Sequence, residues 1–306
     1  MSFLTVCLNP TIQKTLCFSS ITPGAVNRTA SHRLDVSGKG INVTRVLTQL
    51  GKDVKHLTQL GGVMRPLFLS LCEKDGLSVE WAESGSEIRF CYTVINETGG
   101  VPSAGCTVTE LVEESRPVAP GTEELLLEKF DAILSCAPRC LVVSGTKAAG
   151  FSDALIPEIT RRAKEKGLMV ILDIKDNDLT GSLKYEPDVI KPNLDEFLRT
   201  FGFKTYDAEN ETDLNEFVLE LARKHRCRVI ITNGSRKITA ADGVPNNIFS
   251  FNVEPVTAVN TTGCGDAFTA GLAAALEEGA DFKTAITEGM RCGALNASFL
   301  RPGVIR

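Results

Sequence analysis

The sequence predicts an α/β fold: a doubly wound, mostly parallel sheet flanked by helices, with a small β-sheet lid. Three observations predict it. From Gly121 onward, short apolar runs alternate with segments of helical length, the order that right-handed crossovers between parallel strands require. The first apolar run, Phe3–Leu8, lacks polar alternation and suits a strand covered on both faces. Two stretches, about 11–36 and 87–114, lean towards β but hold too little apolar content for a core of their own, so they belong over another layer.

Phe3–Leu8 ends at Asn9-Pro10. Thr15–Phe18 and Asn27–Asp35 follow as β segments, with Pro23-Gly24 as the turn between them. Ser37-Gly38-Lys39-Gly40-Ile41-Asn42 then opens a helix whose Val43, Val46, Leu47 and Leu50 face inward and which Gly51 closes. Val54–Leu60 reads as a strand, Pro66–Lys74 as a helix and Leu77–Trp81 as a strand. Arg89–Ile95 and Cys106–Val112, separated by Gly99-Gly100 and Pro102, read as a strand pair. Helix Thr122–Ser135, strand Cys140–Ser144, helix Ser152–Lys166 and strand Leu168–Asp173 continue the alternation. A short strand Asp188–Lys191, helices Leu194–Phe201 and Glu211–His225, and strand Arg228–Thr232 come next, the last ending at Asn233-Gly234. Segments around Ile238–Ala241 and Ile248–Val253 precede helices Ala267–Glu278 and Asp281–Phe299. No repeat, low-complexity segment or linker divides the chain, so residues 1–306 read as one domain carrying a discontinuous lid.

Composition removes several function classes. Lys plus Arg total 33 against 38 Asp plus Glu, a net charge of -5, which favours neither nucleic acid nor an anionic membrane. No apolar run approaches the ~20 residues that cross a bilayer, and the N-terminus has no secretory pattern, so a cytoplasmic location is expected. The 10 cysteines contain no Cys-x-x-Cys pair and the 3 histidines no ligand spacing. Reduced, mostly buried thiols are expected, and chemistry centred on zinc, His or Cys has no support.

In a doubly wound sheet, ligands gather beyond the carboxyl ends of the strands. Asn9, Gly145, Asp173, Asn193 and Asn233-Gly234 all fall there. Near the C-terminus, Asn260-Thr261-Thr262-Gly263-Cys264-Gly265-Asp266 feeds a helix N-terminus, where unpaired N–H groups and the helix dipole favour an anion. Alone, the run admits a plain glycine turn with Asp266 as an ordinary first-turn acid. A carboxylate beside bound phosphate is repelled unless it has work, such as taking the proton of an attacking hydroxyl. The Gly38-Lys39-Gly40 loop is a second candidate anion site, although it is no Walker A motif. In Lys191-Pro192-Asn193-x-x-Glu196, Asn193 and Glu196 suit a hydrated Mg²⁺; read alone, the acids of that turn simply favour the dipole. Together these residues describe phosphoryl transfer.

At this point the chain resembles the PfkB/ribokinase group of sugar kinases, and within it the 1-phosphofructokinase and tagatose-6-phosphate kinase branch. The resemblance covers nearly the whole chain. It rests on Asn9-Pro10, Gly24-x-Val26-Asn27-Arg28, Gly38-Lys39-Gly40-Ile41-Asn42-Val43, Lys191-Pro192-Asn193-x-x-Glu196 and Gly263-Cys264-Gly265-Asp266, in that order. It implies a ribokinase-like core, ATP with Mg²⁺, Asp266 as the base, and Gly263, Cys264 and Gly265 stabilising the transferring phosphoryl through backbone N–H groups. Expected nucleotide contacts are Lys191, Asn193, Thr232, Gly234 and Asn296. Expected acceptor contacts are Gln13, Arg28, Gly38, Lys39, Asn42 and Arg89, with Lys39, Arg28 and Arg89 suited to a phosphate already on the sugar. A homodimer through the lid is the expected assembly, since exposed β edges invite pairing.

The chain departs from the family pattern where the sugar would sit. Gln13 stands where an Asp is usual, Ser37 where a glycine is usual before Gly38, and Val63-Met64-Arg65-Pro66 and Thr146-Lys147-Ala148 also differ. Cys264 replaces Ala or Gly; the plainer reading is a small inert residue that fits the turn, and the other is a reactive thiol, since a helix N-terminus can lower a thiol's pKa. The expected acceptor is fructose 1-phosphate or a similar ketohexose phosphate. Tagatose 6-phosphate, an unphosphorylated sugar or nucleoside, and a non-catalytic sugar-phosphate sensor are the alternatives.

Overall fold

The computed structural model describes residues 1–96, 107–203, 211–244 and 246–306. The expected turn at Gly99-Gly100 and Pro102, and Cys106 at the head of its strand, lie outside the described residues. The main sheet draws on β1 (Phe3–Val6), β4 (Val54–Leu60) and β5 (Ser78–Glu83) from the first half of the chain. It also takes β8 (Cys140–Ser144), β9 (Met169–Asp173), β10 (Val189–Ile190), β11 (Arg228–Ile231), β12 (Ile238–Asp242) and β13 (Asn247–Phe251). Among the described residues its order is β13-β12-β11-β10-β9-β8-β1-β4-β5. It is parallel from β5 to β11, and β12 and β13 add as an antiparallel edge.

Helices cover both faces. On one face, α3 (Thr122–Leu134), α4 (Leu155–Glu165), α6 (Leu194–Phe201) and α7 (Glu211–Lys224) bury Leu126, Phe130, Ile159, Phe197 and Val218 against β1, β8 and β9. On the other, α1 (Lys39–Gln49), α8 (Cys264–Glu277) and α9 (Phe282–Ala297) bury Val43, Val46, Phe268, Leu272 and Ile286. Every residue of α8 from Asp266 to Leu276 is buried, because α8 lies under both α1 and α9. An apolar circumference with no polar stripe is what such a position demands. The close packing uses a missing side chain: a Cβ on Gly289 would stand 2.9 Å from the Phe268 carbonyl oxygen.

The lid is a separate sheet, ordered β3-β2-β6-β7 among the described residues, from β2 (Thr11–Phe18), β3 (His32–Ser37), β6 (Arg89–Asn96) and β7 (Thr107–Val112). The chain leaves the core at Asn9-Pro10, and within one residue it is in the lid. Ile12, Val36 and Ile88 then pack on Ile41, Leu60 and on Phe68 of α2 (Arg65–Lys74), which fastens the lid to the core. One expectation needs correction: β3 begins at His32, not Asn27. The Asn27 side chain bonds the backbone N–H and carbonyl of Thr22, closing a loop that spends those groups locally. A further helix, α5 (Asp176–Ser182), was not expected, since Asp-Asn-Asp-Leu-Thr-Gly-Ser carries no apolar stripe.

Candidate active site

The carboxyl ends of the strands and the inner face of the lid enclose a cavity of about 520 Å³. Both glycine-rich helix starts open into it. Gly38 (φ 112°) precedes α1, and Gly263 (φ 83°) precedes α8. The left-handed φ lets Gly263 turn the chain without a Cβ, which would lie 3.0 Å from Pro302 Cβ and 3.2 Å from the Gly303 nitrogen. The C-terminal segment thus packs behind the expected anion hole. Asn260 and Asn296 lock that segment. Asn260 donates to the Leu300 carbonyl, while Asn296 donates to the Thr262 carbonyl and accepts from the Gly303 N–H at 2.7 Å.

The anion hole differs from expectation in one donor. The Cys264 N–H is spent on the Thr261 carbonyl at 3.3 Å. The N–H groups of Gly263 and Gly265 have no protein acceptor among the described residues and are the ones available to an anion. The Cys264 thiol follows the inert of its two readings. Burial pushes its pKa up, against the Asn296 amide that donates to Sγ at 3.4 Å. Desolvation of the thiolate outweighs the helix dipole here.

Asp266, in the first turn of α8, is buried and receives a hydrogen bond from Asn42 Nδ2 at 2.8 Å. Burial lifts its pKa to about 7, with Asp173 adding to the rise and Lys39, Asn42 and Lys191 opposing it. That value suits a group that must be ionised yet basic near neutral pH. Around it stand two lysines and two more acids. Lys191 Nζ lies 3.3 Å from Asp173, and Lys39 Nζ lies 3.7 Å from Asp173 and 3.2 Å from Glu196. Asp173, at the end of β9, is fully buried. Burial raises its pKa, but Lys191, Lys39 and the Thr269 hydroxyl together hold it below the usual range. Lys39 is held above its usual range, first by Asp173 and then by Glu196 and Asp266.

Asn193 and Glu196 cap α6 reciprocally: Asn193 accepts from the Glu196 N–H at 2.8 Å and Glu196 Oε2 from the Asn193 N–H at 3.0 Å. The other Glu196 oxygen faces Lys39. Both residues line the cavity. The Glu196 carboxylate and the Asn193 carbonyl oxygen are hard oxygens that could help hold a hydrated Mg²⁺ taking most of its ligands from phosphate and water, with phosphate offsetting the nearby Lys39 ammonium.

The other expected residues divide. Gln13, Gly38, Lys39, Asn42, Arg89, Lys191, Asn193, Glu196, Thr232, Gly263, Gly265 and Asp266 all line the one cavity. Gln13 spends its amide nitrogen on Thr93 within the lid, so its oxygen is what remains for a ligand. Arg89 donates from Nη1 to the Glu113 carbonyl, while its buried Nε has no protein partner among the described residues. Arg28 is exposed on a loop outside the cavity wall, Gly234 is exposed and off the wall, and the fully buried Asn296 stands behind it. Lys39 pairs with Asp173 and Glu196 on the strand-end side of the cavity. Asp173 was placed at the ligand edge but without its role as anchor for both lysines, and two residues were missed: Arg45 behind Asn42, and Glu110 on the lid, which accepts from the Thr262 hydroxyl at 2.9 Å. A lone acid closing the apolar run Met169-Val170-Ile171-Leu172 was the available signal for Asp173.

A doubly wound core, a β lid, paired anion-binding helix starts and one poised carboxylate define a class, the small-molecule kinases. The chain belongs to the pfkB family of carbohydrate kinases, whose family model matches residues 7–300. It is therefore an ATP-dependent carbohydrate kinase. It is 27% identical to the tagatose-6-phosphate kinase of Staphylococcus epidermidis, over 99% of this chain and 94% of that one. Its fold is that of phosphofructokinase-2 from Escherichia coli in complex with fructose-6-phosphate, with TM-score 0.83 at 20% identity over 97% of this chain and 93% of that one. A Thermotoga maritima protein described as a possible 1-phosphofructokinase superposes equally well, with TM-score 0.83 at 20% identity over 99% and 95% of the two chains.

Proposed function

We propose that the protein transfers the γ-phosphoryl group of ATP to a primary hydroxyl of a ketohexose monophosphate, with fructose 1-phosphate the expected acceptor. The observation that carries the mechanism is Asp266, buried at a helix start beside Asn42 with a pKa near 7. As the acceptor oxygen forms its bond to the γ-phosphorus, its proton passes to the Asp266 carboxylate. The bond from that phosphorus to the β,γ-bridging oxygen breaks, and ADP leaves. The N–H groups of Gly263 and Gly265, with Lys39, meet the charge on the transferring group. Mg²⁺ held through Glu196 and Asn193 supplies further neutralisation of the β- and γ-phosphates when bound.

Arg89 supports a phosphorylated acceptor, since it lines the lid side of the cavity and its buried Nε has no protein partner among the described residues. Exposed Arg28 does not reach that wall by itself. The test is a coupled ADP-release screen over fructose 1-phosphate, fructose 6-phosphate, tagatose 6-phosphate and their unphosphorylated sugars. Turnover with a phosphosugar alone is expected. Arg89→Ala should raise KM for that phosphosugar at least ~10-fold, about the worth of one charge-assisted contact, while sparing the KM for ATP. The relative's name makes tagatose 6-phosphate the second acceptor to try. Phosphosugar binding without any ADP release would indicate a sensor instead.

A further inference from the structure

We infer that Arg45 is a positioning residue for phosphoryl transfer: it fixes the amide of Asn42 so that Asn42 donates to Asp266. The inference rests on Asp266 being the base. Arg45 lies on α1 one turn beyond Asn42 and is 4% exposed. All five of its N–H donors are used. Nε and Nη2 reach Asp75 Oδ2 at 3.2 and 3.0 Å, Nη2 reaches the Val36 carbonyl at 2.7 Å, and Nη1 reaches the Pro302 carbonyl at 3.1 Å and Asn42 Oδ1 at 3.0 Å.

A guanidinium donates and never accepts, whereas an amide can present either face. Arg45 therefore settles which face Asn42 turns. With Oδ1 held by Arg45, Nδ2 points at Asp266 Oδ2, 2.8 Å away. Turned over, the amide would set its NH₂ against the guanidinium and its oxygen against the carboxylate, two repulsive contacts in a buried site. The arrangement leaves Asp266 Oδ1 for the acceptor hydroxyl. The acceptors of Arg45 come from the end of β3, the end of α2 and the C-terminal segment behind Gly263, so the same guanidinium ties the lid's hinge strand and the anion-hole wall to the base.

The test reads ionisation as well as rate. The charged or titratable groups facing Asp266 are Lys39 from α1, Asp173 from β9, Lys191 after β10, Cys7 after β1 and Cys264 on α8. All of them stay in place in Arg45 variants. Arg45→Lys and Arg45→Met are expected to move the acid limb of kcat/KM up by about 0.5–1 pH unit, the worth of one lost hydrogen bond to the ionised carboxylate. Turnover should fall ~10–100-fold as the base loses its orientation. In an Asn42→Ala background, Arg45→Met should shift the limb no further. Val46→Ala, a core change in the same helix, should lower Tm and leave the limb where it was. The Asp266 carboxyl is also titrated without turnover, by infrared difference spectra against Asp266→Asn. An unmoved titration in folded Arg45→Lys, or shifts that add in the Asn42→Ala background, would overturn the inference. Near-normal turnover of Asp266→Asn would overturn the base assignment alone, with the infrared titration still deciding the role of Arg45.

Discussion

At the scale of the residue, Asp266 combines function with a cost to stability. Its pKa rises on folding from 3.8 to about 7, so the native state holds a proton that the unfolded chain has lost between those values. Stability from this group therefore falls as pH rises through that window, and the full penalty applies above 7. Asp266→Asn should stabilise the ligand-free protein at pH 8 by on the order of a few kcal/mol and lose that advantage near pH 4. Its turnover should drop by about 10²–10⁴ with ATP binding kept. Thermal scans across pH, run beside the kinetics, check both halves; a variant no more stable at pH 8 would mean that Asp266 bears no buried charge. Cys264 gives a second residue-scale prediction. Its thiol is raised by burial, whereas Cys136 is exposed. Peptide mass mapping after brief alkylation at pH 7.5 should find Cys136 modified well ahead of Cys264, and preferential labelling of Cys264 would contradict the burial argument. Asp266 was legible in the sequence because glycines and an acid at a helix start state their own chemistry. The cost of burying Cys264 was not legible, because desolvation comes from side chains distant in sequence, Asn296 among its nearest neighbours.

At the scale of the element, the proposed phosphoryl transfer depends on how α8 begins. Gly263 sits at φ 83° with Pro302 and Gly303 pressed against the position a Cβ would take. Gly263→Ala should cost about 1–3 kcal/mol in strain and displace a phosphoryl-facing N–H, lowering kcat by ~100-fold with a smaller effect on the KM for ATP. Differential scanning calorimetry and steady-state kinetics read the two effects separately; unchanged kcat in a destabilised protein would remove this N–H from the anion hole. Regular elements were the most legible part of the chain. Val54–Leu60, Cys140–Ser144 and Leu194–Phe201 were read with the bounds they have, since the flanking Gly51 and Gly61, an unbroken apolar run and the Asn193–Glu196 cap respectively mark their limits. The expected strand from Asn27 failed because local Asx bonding competes with a sheet ladder, and α5 escaped because its helix has almost no apolar face. Arg45 was passed over for a related reason. Its position one turn after Asn42 is visible in sequence, but its acceptors come from Val36, Asp75 and Pro302, which only tertiary packing assembles.

At the scale of the whole molecule, the lid raises a question of coverage. Its inner strands rest on the core through Ile12, Val36 and Ile88, but β7 buries none of its six residues. Leu111 and Val112 are 55% and 53% exposed on this edge strand. An ordered strand that buries nothing pays its conformational entropy without return, and an open apolar edge invites another β surface. A second copy of the lid would supply such a surface. The same strand carries Glu110, which bonds Thr262 at the mouth of the anion hole, so covering β7 would also steady the lid over the cleft. Leu111→Glu should therefore do two things at once. Sedimentation velocity should show the mass moving from dimer to monomer, because a charge on each copy meets its counterpart across an isologous contact. If the phosphosugar meets the lid through Gln13 and Arg89 as proposed, its KM should rise several-fold, about the effect of one weakened polar contact, while the KM for ATP stays near its original value. A wild-type protein that sediments as a monomer at assay concentrations would refute lid pairing, and a monomeric Leu111→Glu with unaltered phosphosugar KM would separate assembly from acceptor binding.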